Sequence, residues 1–202
     1  MTSRRVAAIG LCLCADGALA ESSTLNLHFE PAAATFIAPP QSALFGVGED
    51  FALRADLPFA GPLAGQLGAS LVNVPAEPGS FNEPGRAFAF GAGIRWRALD
   101  DHEGYLVHFG DKAGHRGNLL GNLWVDVEAN LVGTGPLLRF GFEAGAGLEL
   151  SLLDELQVGP FIRYVQIVEP ALAGFDPSPA RLFLAGLSLS LGFPGTAVHA
   201  AR

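Results

Sequence analysis

The 202-residue sequence is short of charge: Asp, Glu, Lys and Arg make up 16% of it, against about 25% in an ordinary soluble domain. Basic groups are the scarcest. Lys112 is the sole lysine, and 12 basic residues against 20 acidic ones give a formal net charge of −8. Phosphate contacts need a basic face, so nucleic acid is excluded as a partner. Long apolar runs are missing too. No stretch of about 18 apolar residues escapes interruption by glycine, proline or charge, which excludes a bundle of spanning helices. Cysteine is limited to Cys12 and Cys14, both within the first 20 residues.

What is present is apolar and broken. Half of the residues are hydrophobic, with 26 glycines and 14 prolines, too apolar for a disordered chain. Met1 to Ala20 has the three parts of a secretory signal. Arg4 and Arg5 precede the apolar run Val6 to Ala15, and Ala18-Leu19-Ala20 forms a small-x-small cleavage site. Leu11 and Leu13 stand before the cysteines where a lipoprotein site needs a small residue. Cleavage after Ala20 is therefore expected, leaving a chain from Glu21 with no cysteine and no disulfide.

Beyond Ala20 the dominant period is two, not 3.6. In Leu137–Leu153 the residues Leu138, Phe140, Phe142, Ala144, Ala146, Leu148, Leu150 and Leu152 share one face. Arg139, Gly141, Glu143, Gly145, Gly147, Glu149 and Ser151 share the other. The alternation returns in Thr24–Phe36, Asp50–Phe59, Arg86–Asp100, Asn122–Leu131 and Arg181–Phe193, with Trp124 on the polar side of its segment. Leu63–Val74 and Leu156–Glu169 alternate less cleanly. Arg163 and Gln166 have opposite parity in the latter, which a β-bulge would reconcile. Ala60-Gly61-Pro62, Gly133-Thr134-Gly135-Pro136 and Leu153-Asp154-Glu155 read as tight turns, and Pro75–Gly85 and Pro170–Ala180 as loops. This gives eight strands. The long Asp100–Gly117 connection contains Gly104-Tyr105-Leu106-Val107-His108-Phe109, which counted as strand would open the way to ten.

A soluble sandwich buries its apolar face and wets a charged one. Sixteen per cent charge is too little for eight wet faces. The inverse arrangement fits: apolar residues toward lipid, glycines and a few charges toward a narrow interior. The fold expected is all-β, an antiparallel up-and-down transmembrane β-barrel. Gly91, Gly93, Gly141, Gly145 and Gly147 would make room for long lumen side chains. Those side chains are Arg54, Asp56, Arg95, Arg97, Asp126, Glu128, Arg139, Glu143, Glu149 and Arg163. Antiparallel neighbours would set Arg95 and Arg97 against Asp126 and Glu128, with Arg139 and Glu143 next. Charges inside a membrane protein are tolerated when paired, so these form a structural network rather than a catalytic or conducting site.

The stretch Gly121–Val168, GNLWVDVEANLVGTGPLLRFGFEAGAGLELSLLDELQVGPFIRYVQIV, and the last strand ARLFLAGLSLSLGF resemble the eight-stranded barrel domain of OmpA-type outer-membrane proteins. Gly186, Leu189, Leu191 and Phe193 resemble the C-terminal signal read by the barrel-assembly machinery. The resemblance implies the outer-membrane bilayer as the location and main partner of residues 21–193. Only a short tail, 194–202, follows, so no peptidoglycan-binding domain is expected in this chain.

His28, His102, His108, His115 and His199 lie in no nucleophile motif, and the spacing of His102, His108 and His115 with Asp100, Asp101 and Asp111 matches no metal site. Gly91-Ala92-Gly93 and Gly145-Ala146-Gly147 lack the following helix of a nucleotide-binding turn. No enzyme activity and no cofactor or metal is expected. The function expected is structural or interaction-based. A small porin, and a soluble lipocalin-like ligand carrier, are the alternatives.

Overall fold

The computed structural model describes residues 25–79, 83–98, 123–152, 156–168 and 179–193. The proposed signal segment, the Gly104–Phe109 segment and the tail from Pro194 lie outside them. Eight strands form one antiparallel sheet: β1 (Leu25–Phe36), β2 (Gly48–Ala60), β3 (Leu63–Val74), β4 (Gly85–Arg97), β5 (Leu123–Thr134), β6 (Leu137–Leu148, continued at Leu150–Ser151), β7 (Leu156–Val168) and β8 (Ala180–Phe193). Each strand pairs with the next in sequence, and β8 pairs with β1 from Leu25↔Phe193 to Phe36↔Leu182. That seam closes the sheet into a barrel, so no strand edge is left with unpaired backbone.

The strands run 12 to 14 residues, enough to cross a hydrocarbon layer at a tilt of about 45°. Alternation sets the faces. Leu138 (71% exposed), Leu67 (66%) and Leu53 (63%) point outward with Phe90, Phe140, Val127 and Leu187. His28, Glu30, Arg54, Arg95, Asp126 and Arg163 are buried inside, each at most 4% exposed. A soluble barrel would have these two sets exchanged.

One expectation changes. No bulge corrects Leu156–Glu169: the β7–β8 register runs unbroken from Leu156↔Leu191 to Ile167↔Ala180. Gln166 simply faces outward, where its Oε1 accepts a hydrogen bond from the Tyr164 hydroxyl at 2.6 Å. An outward amide is tolerable because the tyrosine satisfies it. A register shift occurs instead in β2, between Pro58 and Ala60, just before the turn at Gly61. Gly61 (φ +51°) and Gly135 (φ +59°) take the left-handed backbone that these two tight turns demand.

The barrel has two unlike ends. Leu25, Phe193, the Gly61-Pro62 turn and the strand ends at Arg97, Leu123, Ser151 and Leu156 share one, the terminus end. The strand ends at Phe36, Gly48, Val74, Gly85, Thr134, Leu137, Val168 and Ala180 share the other. There a short helix, α1 (Gln41–Leu44), leads to Phe45, which bridges to Ala76 and packs on Phe36 with ring centroids 5.3 Å apart.

Glycine is used in the lumen as space. A Cβ on Gly147 would come within 2.6 Å of the Trp124 ring, and one on Gly145 within 2.6 Å of Asp126 Oδ1 and 3.0 Å of the Arg163 guanidinium. On Gly91 it would overlap the Asn130 amide. Gly65, by contrast, has nothing closer than 4.0 Å. Gly147→Ala is therefore expected to destabilise the folded barrel by about 1–3 kcal/mol through overpacking, and Gly65→Ala to change it little. Urea unfolding in lipid vesicles, followed by tryptophan fluorescence, measures both; equal costs would remove the packing explanation.

Candidate functional site

Inward residues recur every second position, and most of the charged ones, with their aromatic and amide neighbours, lie toward the terminus end. On β5 these are Trp124, Asp126, Glu128 and Asn130; on β4, Arg97 and Arg95; on β2, Asp56 and Arg54; on β7, Phe161 and Arg163. Their heads meet across the lumen. Glu30 of β1 is the hub, accepting hydrogen bonds from Arg54 Nη1 at 2.5 Å, Arg95 Nη2 at 3.1 Å and Arg163 Nη2 at 3.1 Å. Asp126 takes both terminal nitrogens of Arg163 at 3.0 Å each, and Arg95 Nη2 at 2.9 Å. Such forked, charge-assisted pairs are the strong form of the interaction.

Arg54 resolves a conflict that the register creates. Glu128 and Glu143 are direct partners across β5 and β6, and like charges there repel. From the far wall, Arg54 donates Nε to Glu128 at 3.2 Å and Nη2 to Glu143 at 2.7 Å. Nearer the terminus end, Asp56 accepts from Gln66 Nε2 at 2.7 Å and Arg97 Nη2 at 2.9 Å, and lies 2.9 Å from His28 Nε2. The Arg95 guanidinium sits over the Trp124 ring, 4.2 Å from its centroid, a cation–π contact that seats the network on an aromatic floor.

Most of the expected lumen charges therefore come together: Arg54, Asp56, Arg95, Arg97, Asp126, Glu128, Glu143, Glu149 and Arg163 all make ion pairs here. Details differ from the neighbour-strand expectation. Arg95 does pair with Asp126, its register partner. Arg97 turns to Asp56 on β2, and Glu128 is served by Arg54, because long side chains in a narrow tube reach the opposite wall as easily as the adjacent strand. Arg139 is opposite Val132 and lines a cavity farther along the axis, not the space beside Glu128. Glu30 and His28 were not among the expected network residues. Their signal is parity: with Asn26 they form the polar face of β1.

Ser190, His28 and Asp56 form a chain with the atom types of a nucleophile triad. Ser190 Oγ is 2.6 Å from His28 Nδ1. All three are 2% exposed or less, and Ser190 Oγ also donates to Glu149 at 3.3 Å, so no acyl group can approach the hydroxyl in this geometry. The other four histidines lie outside the described residues. Among the described residues no group of His, Cys, Asp and Glu has the arrangement of a metal site.

Above the network the lumen changes character. The same strands continue inward as Val72 and Val74, Ala87 and Ala89, Val132, Val165 and Ile167, and Leu182 and Leu184. With Asp50, Ser70, Thr134, Arg139 and Glu143 they line a cavity of about 250 Å³. An interior filled only with charges and glycines is thus corrected: its second half is lined mostly by aliphatic side chains.

No protein-family model matches the chain, and no curated protein matches it in sequence. Solved structures do match in shape. Neisserial surface protein A superimposes with a TM-score of 0.56 at 11% identity, over 84% of this chain and 97% of that one. The outer membrane protein OprG from Pseudomonas aeruginosa gives 0.47 at 8% identity, over 85% and 96%. Ail, the attachment invasion locus protein of Yersinia pestis, gives 0.42 at 9%, over 84% and 99%. The chain has the closed, eight-stranded antiparallel fold of the small outer-membrane barrels.

Proposed function

We propose that this protein is an outer-membrane β-barrel with a structural or interaction role, its lumen closed to ion flow by the charge network. The network carries the reading: Arg54, Arg95 and Arg163 are at most 4% exposed and each bonds carboxylates from at least two other strands. A water-filled pore would leave these heads hydrated. The outward apolar surface supports the bilayer as the surrounding medium and disfavours a lipocalin-like soluble carrier, which would expose polar residues. Residues 1–20 are proposed as the cleaved export signal, and Gly186, Leu189, Leu191 and Phe193 as the segment recognised during assembly. In the fold, Phe193 and Leu191 lie on the seam, opposite Leu25 and Leu27.

Reconstituted in planar bilayers, the purified protein is expected to show no stable unit conductance. Long-lived openings of uniform size would overturn the closed-lumen reading in favour of a small porin.

The network also orders the cost of substitutions. Arg163, with its side chain 0% exposed, pairs with Glu30, Asp126 and Glu143; removing it leaves three buried carboxylates each short of one partner, at about 3–5 kcal/mol. The Arg97 side chain is 22% exposed and its removal costs less. Unfolding midpoints of Arg163→Ala and Arg97→Ala in detergent are expected in that order, and an Arg163→Ala midpoint equal to that of the unaltered protein would sink the structural assignment.

A further inference from the structure

The apolar half of the lumen contains one feature that its surroundings do not explain. Asp50 lies on β2 between Ala32 of β1 and Val72 of β3 in register, at the level where the other strands turn apolar. It is 1% exposed and lines the cavity, yet its Oδ1 has no hydrogen-bond partner. Glu143 and Glu30 repel it and Arg54 and Arg163 attract it, but the hydrogen bonds of both arginines go to Glu30, Asp126, Glu128 and Glu143. A buried carboxyl oxygen without a donor is costly, and such atoms in native structures call for a reason.

The cavity supplies one. Its walls are Val72, Val132, Val165, Ile167, Leu182 and Leu184, and its polar floor is Asp50 and Glu143 with Ser70. Phe36 and Phe45 line its other end, beside α1. A void of roughly 150 Å³ lined by aliphatic groups stays dry and takes up benzene. At about 250 Å³ this one has room for a longer apolar body, and unlike that void it has an acceptor at its base. The charge network below makes it a dead end and not a passage. Beneath it the lumen-facing groups are four arginines against Glu30, Asp56, Asp126, Glu128, Glu143 and Glu149, an acidic excess, while at the cavity itself Arg86 and Arg139 stand with Asp50 and Glu143. The unpartnered Oδ1 of Asp50 calls for a donor, and an ammonium group is one that also offsets the acidic excess below.

We propose that the apolar half of the lumen is a binding site for a small amphiphilic amine, its hydrocarbon body among the valines and leucines and its ammonium group donating to Asp50. A charge-assisted bond of this kind is about twice as strong as a neutral one, so the head selects the ligand and the walls hold it. The site rests on the dead-end cavity and is independent of what the loops contact.

The probes are octylamine, octan-1-ol and octanoate, titrated separately into methyl-labelled protein in lipid nanodiscs. Methyl resonances of Val72, Val132 and Leu182 report the cavity, while Leu53 and Leu187 on the outer face report partition into lipid. Octylamine is expected to shift the cavity methyls saturably, at least about tenfold more tightly than octanoate. Asp50→Asn is expected to weaken octylamine by about tenfold and leave octan-1-ol nearly unchanged. Shifts confined to the outer-face methyls would overturn the site. Tighter binding of octanoate would overturn the choice of head group, pointing to Arg86 and Arg139, which also line the cavity. An Asp50→Asn protein that binds octylamine unchanged would overturn the role of Asp50. If that variant does not fold, the comparison of octylamine with octanoate on the unaltered protein decides, and conductance remains a separate test of the closed lumen.

Discussion

A guanidinium group sealed inside a tube of hydrogen-bonded backbone must find carboxylates there, because no water column replaces them. In this barrel three such groups converge on Glu30 alone. Much else follows from that demand. The glycines at 91, 93 and 145 leave volume for the heads and their partners. Trp124 lies flat beneath Arg95. Strands β1, β2, β4, β5, β6 and β7 are cross-tied through the lumen as well as through the sheet.

The fold was legible to an unusual degree because period-two alternation is a backbone property and needs no tertiary knowledge. Leu138, Phe140 and Phe142 against Arg139, Gly141 and Glu143 already separate outside from inside. The pairings were less legible. Alternation says that Arg97 and Glu128 point inward, but the partner of each lies across the tube, and the barrel's stagger, which sets that geometry, is not written in any one strand. Glu30 was obscured by Pro31-Ala32-Ala33-Ala34, where the alternation fades. The apolar half of the lumen was least visible. In Arg181–Leu187 both faces are aliphatic, so Leu182 and Leu184 read like their outward neighbour Phe183 until closure places them.

The interior is therefore amphipathic along its axis, a second pattern superimposed on the in-and-out one. On β5 the order is Asp126, Glu128, Asn130, Val132; on β7 it is Arg163, Val165, Ile167. Only a handful of inward positions per strand carry this information. The similarity in shape to Neisserial surface protein A at 11% identity fits the same economy: the fold asks for a hydropathy pattern and turns, and leaves the identity of most side chains free.

Closure at the β1–β8 seam poses a problem that hydropathy alone cannot solve. A slip of one residue there would turn every side chain to the wrong face and is forbidden by lipid. A slip of two keeps every leucine outside and every polar group inside, so the bilayer is blind to it. Yet it would shift Glu30 about 7 Å along its strand relative to β8, so that Arg54, Arg95 and Arg163 could no longer all reach it together. The ion pairs thus check the one class of error that the apolar skin passes, and the barrel locks only when its last two strands meet in the register that reunites them.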